Sequence, residues 1–417
     1  MYLRFPALVA AFGALVVAIV TASATAALAY IALLGTLAVL DALLAPSPRR
    51  VHVERIAPTS VRLGHSAEVA YSVSSERRIV GEFRDAWPPS AGVAPSRHTF
   101  DTQGGSDSAS ATMSPRRRGT LRSSALTIRT RGPFRLAGRQ RTFPTAWSLL
   151  TTPAFHSASA LPQRVRKLRE LDGRALLLQR GEGTEFDSLR EYVAGDDVRA
   201  IDWRSTARLG TAVVRTWLPE RDRRILVVLD AGRALSLRSG NAPLFDAAIE
   251  TALLMSAVAA KAGDSLTVLA LDHLVRARAS VSHSANPIFD VGAALADVEP
   301  SSLATSLQPA LAVARSIRAS LIVVVTDPAT IEPEQFAALR TLAPVIVANP
   351  QIDNLENSLE PVWNAYLRAA DARDRLTQSG YATQLSHGGI RVITAYTHDL
   401  PAKTADAYLC LKAAGQL

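Results

Sequence analysis

Cysteine and lysine are both scarce in this chain of 417 residues. Its single cysteine, Cys410, excludes a disulfide framework and any metal site built from several thiolates. Only four of the 46 basic residues are lysines, so 42 are arginines, and the formal net charge is +9. In many nucleic-acid-binding segments basic and aromatic residues alternate, but the arginines of this chain are not interleaved with aromatic residues. We therefore expect no nucleic-acid partner.

Signatures of common enzyme sites are also missing from the sequence. It contains no G-x-x-x-x-G-K-[ST] phosphate-binding loop, no H-E-x-x-H zinc motif and no G-x-S-x-G nucleophile motif. The eight histidines are scattered, without the paired His and Cys arrangement of a nucleophilic site. We therefore expect a chain that is not itself catalytic and that takes no small-molecule substrate.

The longest uncharged stretch lies at the N-terminus. No charged residue occurs between Arg4 and Asp41, which leaves 36 positions, whereas one transmembrane helix needs about 20. This length predicts a transmembrane helical hairpin within residues 1–48, which contacts lipid through residues 5–45 and turns near residues 21–25. The alternative is a cleaved signal peptide ending at the alanine-rich stretch of that turn, although a second apolar run follows it.

Basic residues flank this apolar stretch on both sides. Arg4 precedes it, and Arg49 and Arg50 follow it. Under the positive-inside rule both ends face the cytoplasm, so we expect a two-pass protein of the cell membrane with most of its chain cytoplasmic. Residues 51–160 carry 15 basic and 7 acidic groups, which suits a domain that lies beside anionic lipid headgroups.

Residues 49–155 are predicted to form a small antiparallel β-sandwich. Apolar residues alternate with polar ones at 51–53, 69–73 and 126–129, and turn residues separate these runs. We expect the run Arg116-Arg117-Arg118 to be a solvated or lipid-facing edge of this domain.

Residues 156–224 form a connector in which charges of both signs are dense. Between residues 185 and 224 eight acidic residues accompany eight arginines. Guanidinium groups pair bidentately with carboxylates, so we expect a structural ion-pair network where domains pack together. The alternative is that the carboxylates of residues 185–202 hold a divalent cation in a metal-dependent enzyme. Gly195-Asp196-Asp197 predicts a turn and an N-cap for a short helix that runs through Arg208.

Residues 225–417 alternate between apolar strands and amphipathic helices. The runs 225–229 and 321–325 are continuously apolar, as in buried parallel strands. This alternation predicts a doubly wound α/β domain, in which ligands bind beyond the carboxyl ends of the strands.

Two of these strands end in aspartate, and this arrangement resembles the von Willebrand factor A-like domain. In that family an Asp-x-Ser-x-Ser motif, a loop threonine and a second aspartate bind Mg²⁺, and an acidic side chain of a partner completes the site. The resemblance implies a metal site at Asp230, Thr305 and Asp327. The two serine positions are Gly232 and Ala234, which offer no side-chain oxygen, so we expect a degenerate site without metal.

The preceding segment, residues 183–204 (the signature segment), is similar to the signature of the bacterial domain-of-unknown-function 58 family. The chain also has that family's Arg-Arg-Gly pattern at residues 117–119 and its Arg-x-Pro-Phe pattern at residues 131–134. The resemblance implies association with MoxR-type AAA+ ATPases. The signature positions singled out are Phe186, Leu189, Arg190, Tyr192, Gly195, Asp196, Asp197, Arg199, Ile201 and Trp203.

These observations predict a membrane-anchored protein-interaction module. The A-like domain would present the carboxyl ends of its strands to an ATPase or to its client, and the ATPase would supply any nucleotide hydrolysis.

Overall fold

The structure is a computed structural model, which describes residues 2–3, 5–178, 185–193, 196–218, 223–240, 242–282, 284–352 and 361–417. The chain divides into two compact units, Met1–Ala154 and Phe155–Leu417. The predicted helical hairpin and β-sandwich therefore fall in the first unit, and the predicted connector and α/β domain fall in the second.

The first unit begins with two apolar helices, α1 (Phe5–Thr21) and α2 (Ala24–Leu44). The Ser23 side chain caps α2 by accepting a hydrogen bond from the Ala26 amide, and the Tyr30 hydroxyl donates to the Ala10 carbonyl over 3.0 Å. Among the described residues one helical segment, Ala24–Arg50, is long and apolar enough to cross a membrane. A second membrane pass and the side on which the remaining chain lies stay predictions.

The rest of the first unit consists of short strands, most of them antiparallel to their neighbours. They are β1 (Tyr2–Leu3), β2 (His52–Ile56), β3 (Ser60–Arg62), β4 (Ala67–Ser74), β5 (Val80–Asp85), β6 (Val93–Ala94), β7 (Arg97–Asp101), β8 (Ser106–Met113), β9 (Gly119–Arg122), β10 (Ala125–Arg131), β11 (Ala137–Pro144) and β12 (Ser148–Thr152).

These strands form one sheet in the order β1-β11-β10-β5-β7, a second in the order β2-β4-β8-β6 and a third in the order β3-β12-β9. Alternate residues of β4, β5 and β10 are buried, so that Val69, Tyr71 and Val73 of the second sheet share a core with Phe83 and Ile128 of the first. Period-two alternation thus identified the strand character of this region, although it located only three of the strands.

The second unit is built from helices α3 (Leu161–Leu178), α4 (Trp203–Leu209), α5 (Leu244–Lys261), α6 (Pro287–Leu295), α7 (Gln308–Ile317), α8 (Pro333–Arg340), α9 (Pro361–His387) and α10 (Leu400–Ala413). Its strands are β13 (Glu185–Glu191), β14 (Val213–Leu218), β15 (Arg224–Asp230), β16 (Arg238–Ser239), β17 (Ala242–Pro243), β18 (Ser265–Leu271), β19 (Val275–Val281), β20 (Leu321–Val325), β21 (Val345–Gln351) and β22 (Arg391–Tyr396).

A mixed six-stranded sheet forms the centre of this unit, in the order β19-β18-β15-β20-β21-β22. Its strands are parallel except for the edge strand β19. Ile225, Val227 and Leu229 pack with α5 and α10 on one face, whereas Leu226 and Val228 pack with α7 and α8 on the other. Burial on both faces explains why residues 225–229 of β15 are all apolar, since each such side chain contributes about 1.5–3 kcal/mol.

The signature segment folds differently from the prediction of one helix through Arg208. Asp197 caps a 3₁₀ turn, Val198–Ala200, and Asp202 caps a separate helix, α4. Strands β13 and β14 pair on either side of these turns. The single predicted helix was wrong because Ile201 leaves the helical path and forms an isolated bridge with Val214.

Candidate functional site

The carboxyl ends of the parallel strands bring the predicted site residues to one edge of the central sheet. Strand β15 ends at Asp230, and its neighbour β20 ends just before Thr326 and Asp327. The chain runs outward from β15 to β18 and returns on the other side to β20, so these two strands flank a topological switch point.

Asp230 is almost wholly buried, with 1% of its surface exposed. One carboxylate oxygen accepts hydrogen bonds from the Gly232 amide over 2.8 Å and from the Thr305 hydroxyl. The other oxygen accepts from the Thr326 hydroxyl over 2.5 Å. Burial raises the pKa of the Asp230 carboxyl above its ordinary value, and these three hydrogen bonds oppose that effect.

Gly232 is placed so close to Thr305 that a side chain would not fit. An added Cβ atom would lie 2.2 Å from the Thr305 hydroxyl oxygen and 2.8 Å from the Leu303 carbonyl oxygen. The Arg233 amide also donates to the Leu303 carbonyl over 2.9 Å. The loop that carries Thr305 therefore packs directly on the turn after β15, in space that a serine at position 232 would need.

Asp327 lies at the same edge but has its own partners. Its carboxylate accepts from the Ala329 amide and from the Gln378 side-chain amide, each over 3.0 Å. A cavity of about 200 Å³ opens beside it, lined in part by Ala234, Asp374 and Gln378. Burial raises the pKa of Asp327, and the nearby Asp374 carboxylate raises it further.

Asp272, at the end of strand β18, completes the edge, and the sequence analysis missed it. Its side chain is wholly buried and accepts hydrogen bonds from the Leu274 amide over 2.9 Å, the Ser301 hydroxyl over 2.8 Å and the Arg276 guanidinium over 2.5 Å. Burial alone would raise the pKa of Asp272, but these bonds together lower it. The signal was present, because an apolar run, 266–271, ends in this aspartate as two others end in Asp230 and Asp327.

The residues at this edge do not fit the Mg²⁺ that the resemblance implies. Asp230, Thr305 and Asp327 are the only oxygen-bearing side chains at the five expected positions, and both Asp230 oxygens already accept hydrogen bonds from the protein. Within the described ranges no group of three or more His, Cys, Asp or Glu side chains is arranged to hold a metal ion. We derive no chemistry through a metal at this edge.

The signature segment is braced by arginine–carboxylate pairs. Arg190 binds Asp196 through two hydrogen bonds of 2.6 and 2.5 Å, and this pairing lowers the pKa of Asp196 to about 2. Asp202 accepts from the Ser205 amide over 2.9 Å and from Arg215 over 2.6 Å. These two carboxylates therefore form ion pairs with arginines, and that of Asp202 also caps a helix.

The remaining signature positions are partly open to solvent. Trp203 is 66% exposed and Leu189 is 38% exposed, whereas Tyr192 and Ile201 are half-buried and Arg199 is exposed. Asp197 accepts a hydrogen bond from the Arg199 amide over 2.9 Å. Phe186 lies on β13, and Gly195 lies outside the described residues. That the apolar members pack between domains stays a prediction.

The solved structures that match part of this chain have low sequence identity and low TM-scores. The CARDB domain of a Pyrococcus furiosus protein, in complex with di-metal ions, is 12% identical with a TM-score of 0.17; the match covers 24% of this chain and 91% of that domain. The PKD domain of an M14-like peptidase from a Thermoplasmatales archaeon is 8% identical with a TM-score of 0.16 and the same two coverages. TM-scores this low give no basis for assigning a fold or a function to this chain.

The sequence comparisons are more informative. No curated protein matches the chain. Residues 188–376 match the family described as "Protein of unknown function DUF58", and this stretch includes most of the signature segment and the strand ends at Asp230, Asp272 and Asp327. The match supports the assignment of this chain to the DUF58 family.

Proposed function

We propose that this chain is a membrane-anchored, cytoplasm-facing adaptor that binds a protein partner and is not itself catalytic. In this proposal α1 and α2 cross the membrane as a two-pass hairpin, and the second unit is a von Willebrand A-like domain without a metal. The partner is a MoxR-type AAA+ ATPase, which the family resemblance implies.

The observation that carries this proposal is the exposed apolar surface of the signature segment. Val193 is 62% exposed, Val198 57% and Trp203 66%, and Leu209, at the end of the helix that begins in this segment, is 62% exposed. These side chains project from a segment whose backbone is fixed by two helix caps and two arginine–carboxylate pairs. A fixed segment that exposes several large apolar groups is typical of a surface that binds another protein.

The strand-end edge supports the non-catalytic part of the proposal. Both oxygens of Asp230 and of Asp272 accept hydrogen bonds from backbone amides, hydroxyl groups or Arg276, which favours a structural role for these two carboxylates. The alternative of a metal-dependent enzyme built on residues 185–202 is disfavoured by the pairing of Asp196 and Asp202 with arginines.

A crosslinked pull-down of the tagged full-length chain from native membranes, read by mass spectrometry, tests this proposal. We expect an AAA+ ATPase as the dominant partner. Trp203→Ala should reduce its recovery at least tenfold, because exposed tryptophans at interface centres contribute about 2 kcal/mol or more. Leu376→Ala is the matched control, since Leu376 is 73% exposed but lies on helix α9.

Two results would contradict the proposal in different ways. Recovery of an envelope enzyme in place of an ATPase would refute the ATPase partnership. Equal loss of the partner with both variants would refute the assignment of the contact to the signature segment.

A further inference from the structure

The end of the first unit where the apolar helices meet the sheet is held together by a buried carboxylate. Asp41, in the last turn of α2, is 0% exposed. Its side chain accepts hydrogen bonds from the backbone amides of Phe134 over 2.7 Å and of Leu136 and Ala137 over 2.8 Å each. In return the Arg139 guanidinium donates to two carbonyl groups of the same helical turn. The helix end and the β10–β11 turn thus satisfy each other's backbone groups.

The other helix is attached to the same hairpin. Strand β1, which directly precedes α1, pairs with Ala137 and Gly138 of β11. At Gly132, on the other side of the turn, an added Cβ atom would lie 2.2 Å from an Asp41 oxygen. The turn of residues 132–136 is therefore fixed at the level where the apolar helices end.

This turn carries the side chains that suit a membrane surface. Phe134 is 55% exposed although it stands beside the end of an apolar helix, and Arg135 is exposed next to it. Arg49 and Arg50, in the 3₁₀ turn just after α2, are exposed as well. Apolar side chains such as phenylalanine insert at the boundary between headgroups and acyl chains, and arginines bind anionic lipid, at many protein surfaces that lie on a membrane.

The strand register places another basic segment, residues 116–118, at the opposite end of the unit. His52, next to the helix end, pairs with Ser74, and Ser74 pairs with Ser106. At the other end of the same strands Ala67 pairs with Met113, and the run of arginines at residues 116–118 follows Met113. This run, which we expected to be a solvated or lipid-facing edge, therefore lies away from the helix ends, and Arg118 is buried.

We propose that Phe134 and Arg135, together with Arg49 and Arg50, form a membrane-surface anchor. Phe134 inserts at the level of the headgroups, and the arginines bind the phosphate groups of anionic phospholipids. The anchor rests on the proposed membrane insertion of α1 and α2. It predicts that the β domain is held in one orientation against the bilayer and is not free on a flexible tether.

Site-directed spin labelling tests this anchor in the full-length chain. In a Cys410→Ser background, single cysteines replace Pro133 in the turn, Leu33 in the middle of α2 and Arg116 at the far end. Each labelled chain is placed in nanodiscs that contain phosphatidylglycerol, and its accessibility to oxygen and to a water-soluble nickel complex is measured. We expect Leu33 to report the bilayer core, Arg116 to report water, and Pro133 to report a depth between them.

The outcomes separate the anchor from the membrane insertion on which it rests. If Leu33 reports the bilayer core but Pro133 is as open to nickel as Arg116, the anchor is refuted and the insertion stands. If Leu33 itself is open to nickel, the insertion fails and the anchor fails with it.

Charge reversal tests the lipid chemistry in the chain labelled at position 133. Arg135→Glu should move the label toward water in phosphatidylglycerol discs and leave it unchanged in discs of phosphatidylcholine alone. Arg116→Glu makes the same change of charge at the far end and should have no effect in either. Equal effects of the two variants would overturn the assignment of headgroup binding to the turn.

Discussion

Asp272 offers the sharpest test of how the strand-end edge is built. Replacement of Asp272 by Asn keeps one acceptor oxygen but removes the charge that binds Arg276, Ser301 and the Leu274 amide. Hydrogen bonds to an ionised group contribute about 1.5–3 kcal/mol each, but the Arg276 side chain is 40% exposed, which reduces its share. We therefore expect a net loss of about 2 kcal/mol in the stability of the loop that follows Ser301.

Hydrogen exchange read by mass spectrometry measures this loss where it occurs. Because 1.4 kcal/mol corresponds to a factor of ten, peptides that cover residues 299–307 should exchange about 30-fold faster in the Asp272→Asn variant. Asp290→Asn, at an exposed position bonded to Ser284, is the control and should leave these peptides unchanged. Equal exchange in wild type and Asp272→Asn would refute the role of Asp272 in holding the Thr305 loop.

The pH dependence of the same measurement has a defined sign. The pKa of Asp272 is lowered in the folded chain, so its contribution is fully present above the ordinary carboxyl pKa of about 4. This contribution to stability is lost as the pH falls from about 4 toward the lower pKa that Asp272 has in the folded chain. The difference between wild type and Asp272→Asn should therefore be constant from pH 5 to pH 7 and shrink below about pH 4. A difference that grows with acidity would contradict the assignment.

Three further predictions concern single contacts. Gly232→Ser should not create Mg²⁺ binding by titration calorimetry and should destabilise the chain by about 1–3 kcal/mol, because its Cβ meets the Thr305 loop. Gly132→Ala should lower the thermal midpoint of the detergent-solubilised chain, whereas Gly35→Ala, which meets nothing within 4 Å, should not. Arg190→Met should raise the pKa of Asp196 from about 2 toward its ordinary value in a carboxyl NMR titration, since the guanidinium is the main cause of the shift.

The sequence resolved the second unit better than the first. Buried parallel strands are apolar at every position, and the runs at 225–229 and 321–325 could be recognised without knowledge of their partners. Many strands of the first unit are only two to five residues long, as β3 and β9 are, and such strands are too short for their alternation to be recognised in the sequence.

The candidate site shows the same limit. Aspartates that end apolar strands could be read from the chain, and because parallel strands end at a common edge Asp230 and Asp327 could be placed together in advance. The sequence could not show that Thr305 would bond Asp230, nor that Asp272 would fix the loop in between. Those contacts join segments that are 75 and 29 residues apart.

What the sequence determined by itself is local: an uncharged, apolar stretch at residues 5–40, an α/β pattern after residue 224, and glycine and alanine where a metal site would need serines. What only the tertiary structure decided is pairing. It assigned Asp196 and Asp202 to arginines, left Trp203 exposed, and bound Asp41 to a turn more than 90 residues away. The physical reason is that composition and periodicity indicate whether a residue is buried or exposed, but not which residues it contacts. The partner of a buried carboxylate depends on which loops the fold brings within hydrogen-bonding distance.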